Sequence, residues 1–342
     1  MDALSRFAHR TVIAAAALCW VASAAAQGKA PIEVKMGWQP TMNGARYFIG
    51  VAEKMFEKEG LRLSLTKFTA GPPFFAAFQS ESIDIGFMGF QPATTGIAQG
   101  IPIKVVAIEN DAAGAEGLVA RADSGIKSLA DLRGKSVATK RGSSAHTALL
   151  RGLEFAKLSP NDVRIVDIDV TALIPAFTKG DVPAAWYWEP WMGLLKRQGG
   201  VLIATDRDVG FPVGILWAAR EKWLKANPEA MQRLLAVLDA AAARIKQQPK
   251  QAAAAVAKEL ALTEEHVLEV FTKGASWPSN AESLAATYPY TMDPRSIAAG
   301  KGIAGIMTEN AEFQKAAGII KAVPDYKQAI DSSHLVRYAK RK

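Results

Sequence analysis

Cysteine is almost absent: the 342 residues contain one, Cys19. It lies in an apolar stretch, Thr11 to Val21, which follows Arg6 and Arg10 and precedes the small residues Ser23 to Ala26. That order of basic, apolar and small residues reads as a secretory signal peptide over 1–26, with cleavage expected after Ala26. The stretch is too short for a membrane span, which takes about 20 apolar residues. A lipid anchor is not expected either, because Leu18 rather than a small residue precedes the thiol. From Gln27 onward there is no cysteine, which excludes disulfides, thiolate metal sites and cysteine nucleophiles together. Export without disulfides points to a bacterial periplasm, where a large core suffices for stability.

Histidine is scarce as well. Outside the leader only His146, His266 and His334 remain, far apart and without metal-ligand spacing, so no metal and no cofactor are expected. Ser143 and His146 lack the G-x-S-x-G elbow and cannot form a triad at a three-residue separation, which argues against a hydrolase. Long basic runs are missing too. Forty-one Lys and Arg against thirty-three Asp and Glu give a net charge of +8, yet it is scattered apart from Lys340 to Lys342, so a nucleic-acid partner is not expected. Gly300-Lys301-Gly302-Ile303-Ala304-Gly305 spells a dinucleotide fingerprint in a helical region with no strand before it. Gly134-Lys135-Ser136 lacks the first glycine of a phosphate loop, since Leu129 stands there.

What is present is an ordinary globular composition, 49% apolar and 22% charged, of a length that suggests two lobes. Strand and helix patterns alternate. Residues 32–36 and 61–65 read as strands and 45–57 as a helix; 83–87 and 103–108 continue as strands, with helices near 73–79 and 92–99. A Gly-rich patch at 111–117 and a second at 210–212 mark two crossings between lobes. Between them, strands at 137–139, 163–168, 184–188 and 201–204 surround a helix at 144–156; after the strand 215–219 the pattern is almost wholly helical. The expectation is an α/β fold of two lobes, each a mainly parallel sheet flanked by helices, with a helical C-terminal region. Residues 31–112 plus 213–342 form the first lobe and 113–212 the second, and two crossings are what a hinge needs.

Two motifs carry chemistry. Arg141-Gly142-Ser143-Ser144-Ala145-His146 joins a strand to a helix, where Ser143 or Ser144 caps the helix and its free first-turn amides beside Gly142 can meet an anion. Trp186-Tyr187-Trp188-Glu189-Pro190-Trp191 ends a strand, and alternation places Trp186 and Trp188 on one face. Indoles there are placed to wall a ligand cleft.

These pieces, in this order, resemble the periplasmic solute-binding proteins of ABC importers for nitrate, alkanesulfonates and taurine. The similar stretches are Met36 to Pro40, Ile83 to Ala93, Ser128 to Lys135, Gly142 to His146, Ala184 to Pro190 and Gly210 to Arg220. The resemblance implies a type II-like binding fold, a small organic anion as ligand, a permease as partner, and no enzymatic activity. With it the candidate ligand residues become Trp38, Gln39, Gly71, Phe90 and Gln91 in the first lobe. In the second they are Arg141, Gly142, Ser143, Ser144 and His146, then Trp186, Trp188 and Glu189. Phe90 and Gln91 replace the small hydroxyl residues usual in the family, and Ile215 stands where the taurine binders carry an Asp. Taurine is thereby disfavoured, by a charge-assisted contact of about 1.5 to 3 kcal/mol. Trp38, Phe74, Phe75, Phe90, Trp186 and Trp188 suggest an alkyl or aromatic solute. Two alternatives stay open: a thiamine-pyrimidine precursor binder or related enzyme, and a monomeric sensor partner of a membrane kinase.

Overall fold

The computed structural model describes residues 31–341, so the expected leader lies outside the described residues. Strands β1 (Ile32–Trp38), β2 (Leu61–Lys67), β3 (Ile85–Gly89) and β4 (Ile103–Asp111) open a first sheet. The chain then leaves it for a second, made of β5 (Glu116–Arg121), β6 (Ser136–Thr139), β7 (Arg164–Asp167), β8 (Ala184–Trp188) and β9 (Gly200–Thr205). It returns as β10 (Gly214–Arg220). The sheet orders are β2-β1-β3-β10-β4 and β7-β6-β8-β5-β9.

Both sheets obey one rule. The pairs β1–β2, β1–β3, β6–β7 and β6–β8 are parallel, whereas β10 runs against β3 and β4, and β5 against β8 and β9. The sheets are therefore mixed where strand–helix alternation alone suggests mainly parallel pairing. The reason is geometric: a helical crossover inside a lobe resets the next strand to parallel, but a strand arriving through a crossing enters at the carboxyl edge of the parallel strands and runs back from it.

Local chemistry accounts for the element boundaries. The continuous apolar run of β3 is wholly buried, as expected for an interior strand, while edge strand β2 leaves Leu65 exposed. The helix expected over 45–57 is broken: α1 (Ala45–Ala52) ends at Glu53, and Lys54 takes a left-handed conformation before a short turn of helix at Met55–Lys58. Helices α2 (Phe90–Ala98) and α3 (Ser144–Phe155) follow β3 and β6. The segment at 300–305 is a turn feeding a helix at Ile303–Ala316, and a Cβ on Gly302 would strike the Thr291 carbonyl. The C-terminal region is helical, led by α4 (Pro228–Gln247), which packs on α1.

One buried charge pair fixes the first lobe. The backbone N–H of Arg46 in α1 donates to Glu109 Oε1 (3.2 Å), and its Nε donates to Glu109 Oε2 (3.0 Å). Trp217 Nε1 of β10 donates to the same Oε2 (2.6 Å), and Arg46 Nη1 donates to the Pro278 carbonyl (3.0 Å). Both side chains are fully buried, so neither can be rescued by water if the other is lost. Glu109→Ala is expected to lower unfolding free energy by about 3 to 5 kcal/mol, read as a fall in the urea midpoint at unchanged m-value.

Candidate functional site

The two sheets face each other across a cleft at the carboxyl ends of their parallel strands, where open α/β sheets hold ligands. Gln39 and Asn43 come from the loop after β1, Gly89 ends β3, Ser143 and Ser144 follow β6, and Trp188 ends β8. Glu116 and Ile215 reach the same place because β5 and β10 run the other way and begin there. The lobes are drawn together. Thr41 Oγ1 donates to the Glu189 carbonyl (2.8 Å), Thr69 Oγ1 donates to Asp169 Oδ2 (3.0 Å), and the Arg151 guanidinium lies 4.0 Å over the Phe313 ring. Between them the cavity volume is about 20 Å³, the room of a single water.

Two helix starts converge on this cavity. Gly89 caps α2 and Ser143 caps α3, and a Cβ built on Gly89 lies 3.6 Å from the Ser144 Cβ. Ser143 Oγ accepts from the His146 backbone N–H (3.4 Å) and donates to the Lys140 carbonyl (2.6 Å). The amides of Ser144 and Ala145 have no partner within the helix, and the positive ends of both helices favour negative charge here. Gly142 supplies the left-handed turn that opens α3, with φ of 77°. Gln39 Nε2 donates to the Phe87 carbonyl (3.0 Å), and Asn43 Oδ1 accepts from Asn110 Nδ2 (3.3 Å), which leaves the Asn43 N–H₂ group for the cleft. Among the described residues no Lys or Arg lines it.

The cleft does hold a carboxyl. Glu116 is buried and its Oε2 accepts from Ser144 Oγ (2.7 Å); its backbone carbonyl accepts from the N–H of the equally buried Asp206 (3.0 Å), whose Oδ1 accepts from Trp186 Nε1 (2.8 Å). Burial pushes the Glu116 carboxyl up to about 7 and raises Asp206 well above the usual carboxylate range, the latter also through the nearby Glu116 charge. His146 moves the other way, down to about 4, through burial and the neighbouring Arg141, so it is neutral at ordinary pH.

Of the residues expected at the site, the cleft gathers Gln39, Gly71, Ser143, Ser144 and Trp188, with Gly142 behind them against Pro72. The rest lie elsewhere. Trp38 stacks on Tyr47, Phe90 packs edge-on against Tyr290, and Gln91 Nε2 donates to the Pro212 carbonyl (3.3 Å). Arg141 is exposed and held by Asp167 and the Ile165 carbonyl, while His146 Nδ1 accepts from the Gly142 N–H (3.4 Å). Trp186 is buried against Gly152 in the second lobe, and Glu189 Oε2 is bound to His266 Nε2 (2.8 Å) and the Gly193 N–H. Phe74 and Phe75 also pack away from the cleft, against Gly37 and Gly96. The wall of several indoles therefore reduces to Trp188, with Pro92 and Ile215 the other apolar groups.

Residues 27–261 match the NMT1-like family. The putative aliphatic sulfonates-binding protein of Escherichia coli (strain K12) is 30% identical over 241 residues, 70% of this chain and 75% of that protein. The taurine-binding periplasmic protein of the same organism is 27% identical over 204 residues, 59% of this chain and 62% of that relative, which is under two thirds of its length. The alkanesulfonate-binding protein SsuA from Xanthomonas axonopodis pv. citri, solved bound to MOPS, superposes with a TM-score of 0.74 at 22% identity. The match covers 89% of this chain and 99% of that one, a likeness of fold.

The raised carboxyl makes a prediction for stability. A group whose pKa is higher folded than unfolded contributes stability that is complete below its unfolded value, 4.5 here, and is lost as pH rises through about 7. Thermal unfolding of the wild type is expected to lose several degrees relative to Glu116→Gln between pH 5 and pH 8, as measured by calorimetry of both proteins over that range.

Proposed function

The chain belongs to the NMT1-like family, and on that premise we propose that it is the extracytoplasmic solute-binding component of an ABC importer for a small organic anion, most of all a sulfonate. The observation that carries this reading is the meeting of two helix starts, uncapped amides and neutral side-chain donors in a cleft between two sheets joined by two crossings. The names of the relatives supply the sulfonate class. The receptor is periplasmic, monomeric and non-catalytic, and passes its closed form to a membrane permease. No thiol follows Gln27, and His146 is buried and neutral.

Closure is the working step. Residues 112–115 and 207–213 are the two crossings, and a solute that bridges α2 and α3 binds the closed state better than the open one, which is all that is required to shift the equilibrium. Among the described residues only Trp188, Pro92 and Ile215 give the cleft apolar surface, which favours short alkanesulfonates over aryl ones, and the lobes must part from their present spacing, with room for a single water, to admit either.

Titration with methanesulfonate, ethanesulfonate and small carboxylates is expected to give a saturable change in tryptophan fluorescence, since Trp188 faces the cleft. Asn43→Ala is expected to weaken the best sulfonate about 10- to 100-fold, the loss of a hydrogen bond to a charged group. A flat response to every anion sinks the receptor reading.

A further inference from the structure

We propose that Glu116 is a specificity-determining residue of this cleft and that its own proton, held beside a second one on Asp206, selects the charge of the solute. With Glu116 protonated the cleft takes a plain anion; once that proton is lost, a solute carrying an ammonium. The proposal rests on the solute-receptor reading above and deepens it.

The geometry comes first. Glu116 begins β5 directly after one crossing, and Asp206 follows β9 directly before the other. Their backbones are joined, the Asp206 N–H donating to the Glu116 carbonyl (3.0 Å), and their buried carboxyls lie close enough for each to bear on the other's charge. Ser144 Oγ occupies Glu116 Oε2 and Trp186 Nε1 occupies Asp206 Oδ1. The remaining oxygens, Glu116 Oε1 and Asp206 Oδ2, are buried with no N–H or hydroxyl donor among the described residues. Two carboxyls buried together, each with an oxygen that no donor satisfies, cannot both ionise cheaply; burial and the Glu116 charge both keep the proton on Asp206, so Glu116 is the member whose charge varies.

No other charge nearby neutralises the pair. From the β8 side Glu189 is bound to His266, and from α3 the neutral His146 accepts from Gly142. In the crossings, the Arg207 guanidinium lies beside Gly114, Asp208 Oδ2 accepts from Thr205, and Asp111 Oδ1 accepts from the Ala113 N–H and the Tyr290 hydroxyl. Beyond β6 and β7, Asp167 holds the Arg141 backbone and faces Lys140, and Asp169 answers to Thr69 and Thr171. The helix starts and neutral donors that suit an anion are thus joined by a single group of variable charge. A neutral Glu116 leaves the anion its donors; an ionised one repels it within a largely buried cleft, and attracts an ammonium instead.

The test is calorimetric titration of the full chain with ethanesulfonate and with taurine from pH 5.5 to 8.5, in phosphate and in Tris so that proton exchange is read from the difference in heat. Ethanesulfonate is expected to bind with uptake of up to one proton and to weaken as pH rises, approaching tenfold per pH unit above the midpoint. Taurine is expected to release or exchange no such proton and to gain relative to ethanesulfonate over the same range. Glu116→Gln should remove both trends. Asp206→Asn, whose amide can donate to Glu116 at every pH, should move the ethanesulfonate midpoint to lower pH, an effect that a purely structural role does not produce. Binding with the same pH profile in the wild type and in Glu116→Gln overturns the proposal and leaves the receptor reading standing. Absence of binding by either sulfonate at every pH overturns both.

Discussion

The chain passes twice between its sheets, and every feature of the cleft follows from how those passages must end. Within a lobe, helices carry the chain from the end of one parallel strand to the start of the next, so helix starts collect at one edge. A strand arriving from the other lobe enters at that same edge and runs away from it. Ile215 at the head of β10 and Glu116 at the head of β5 are therefore carried into the cleft by topology, opposite the starts of α2 and α3. The buried Arg46–Glu109 pair, through Trp217 and the Pro278 carbonyl, ties β10 to α1 and to the C-terminal region, so the head of the returning strand is held by the core.

The electrostatic design of the cleft is spare. The chain carries a net +8, yet the cationic side chains around the cleft stay outside it, where Lys140 answers to Asp167, Arg141 to the Ile165 carbonyl and Arg151 to Phe313. Oriented backbone amides and carboxamides are fixed before the solute arrives, whereas an Arg would first have to give up its water. They also discriminate less sharply between charge states than a full cation does. In such a setting a single buried carboxyl governs the net charge, and Glu116 occupies that position.

The two-lobed α/β plan was legible because its signals are periodic: alternation at β1, apolar runs at β3 and β10, the helical stripe of α3, and two Gly-containing breaks. The start of α3 was legible for the same reason, since Gly142 and Ser143 have a local conformational role that the sequence declares. The carboxyl pair was not. Glu116 sits in a Gly-rich stretch that reads as a crossing, and Asp206 is 90 residues further on. Only the adjacency of β5 and β9 joins them, and strand adjacency has no local signature. The indoles show the converse limit. Alternation correctly puts Trp186 and Trp188 on one face, but a face extends beyond a cleft: Trp188, at the strand end, reaches the cavity, whereas Trp186, two residues deeper, packs on α3.

Trp186 nevertheless belongs to the same machinery at one remove. Its Nε1 holds the Asp206 carboxyl, the Asp206 N–H holds the Glu116 carbonyl, and the Glu116 carboxyl accepts from Ser144 in the first turn of α3, so hydrogen bonds run in series from the second lobe's core to the helix start that faces the cleft. Every member of that series lies on the second sheet or on α3. The ends of both crossings are therefore fixed to one lobe, side by side, by groups too deeply buried to exchange their partners for water. Bending between the lobes must then fall on the short segments outside the pair, 112–115 and 207–213. These segments are themselves joined by the Ala112 N–H to the Val213 carbonyl and the Arg207 N–H to the Ala113 carbonyl. Two segments bonded to each other twist as one ribbon more readily than they part, so in the closure proposed above Glu116 stays with α3.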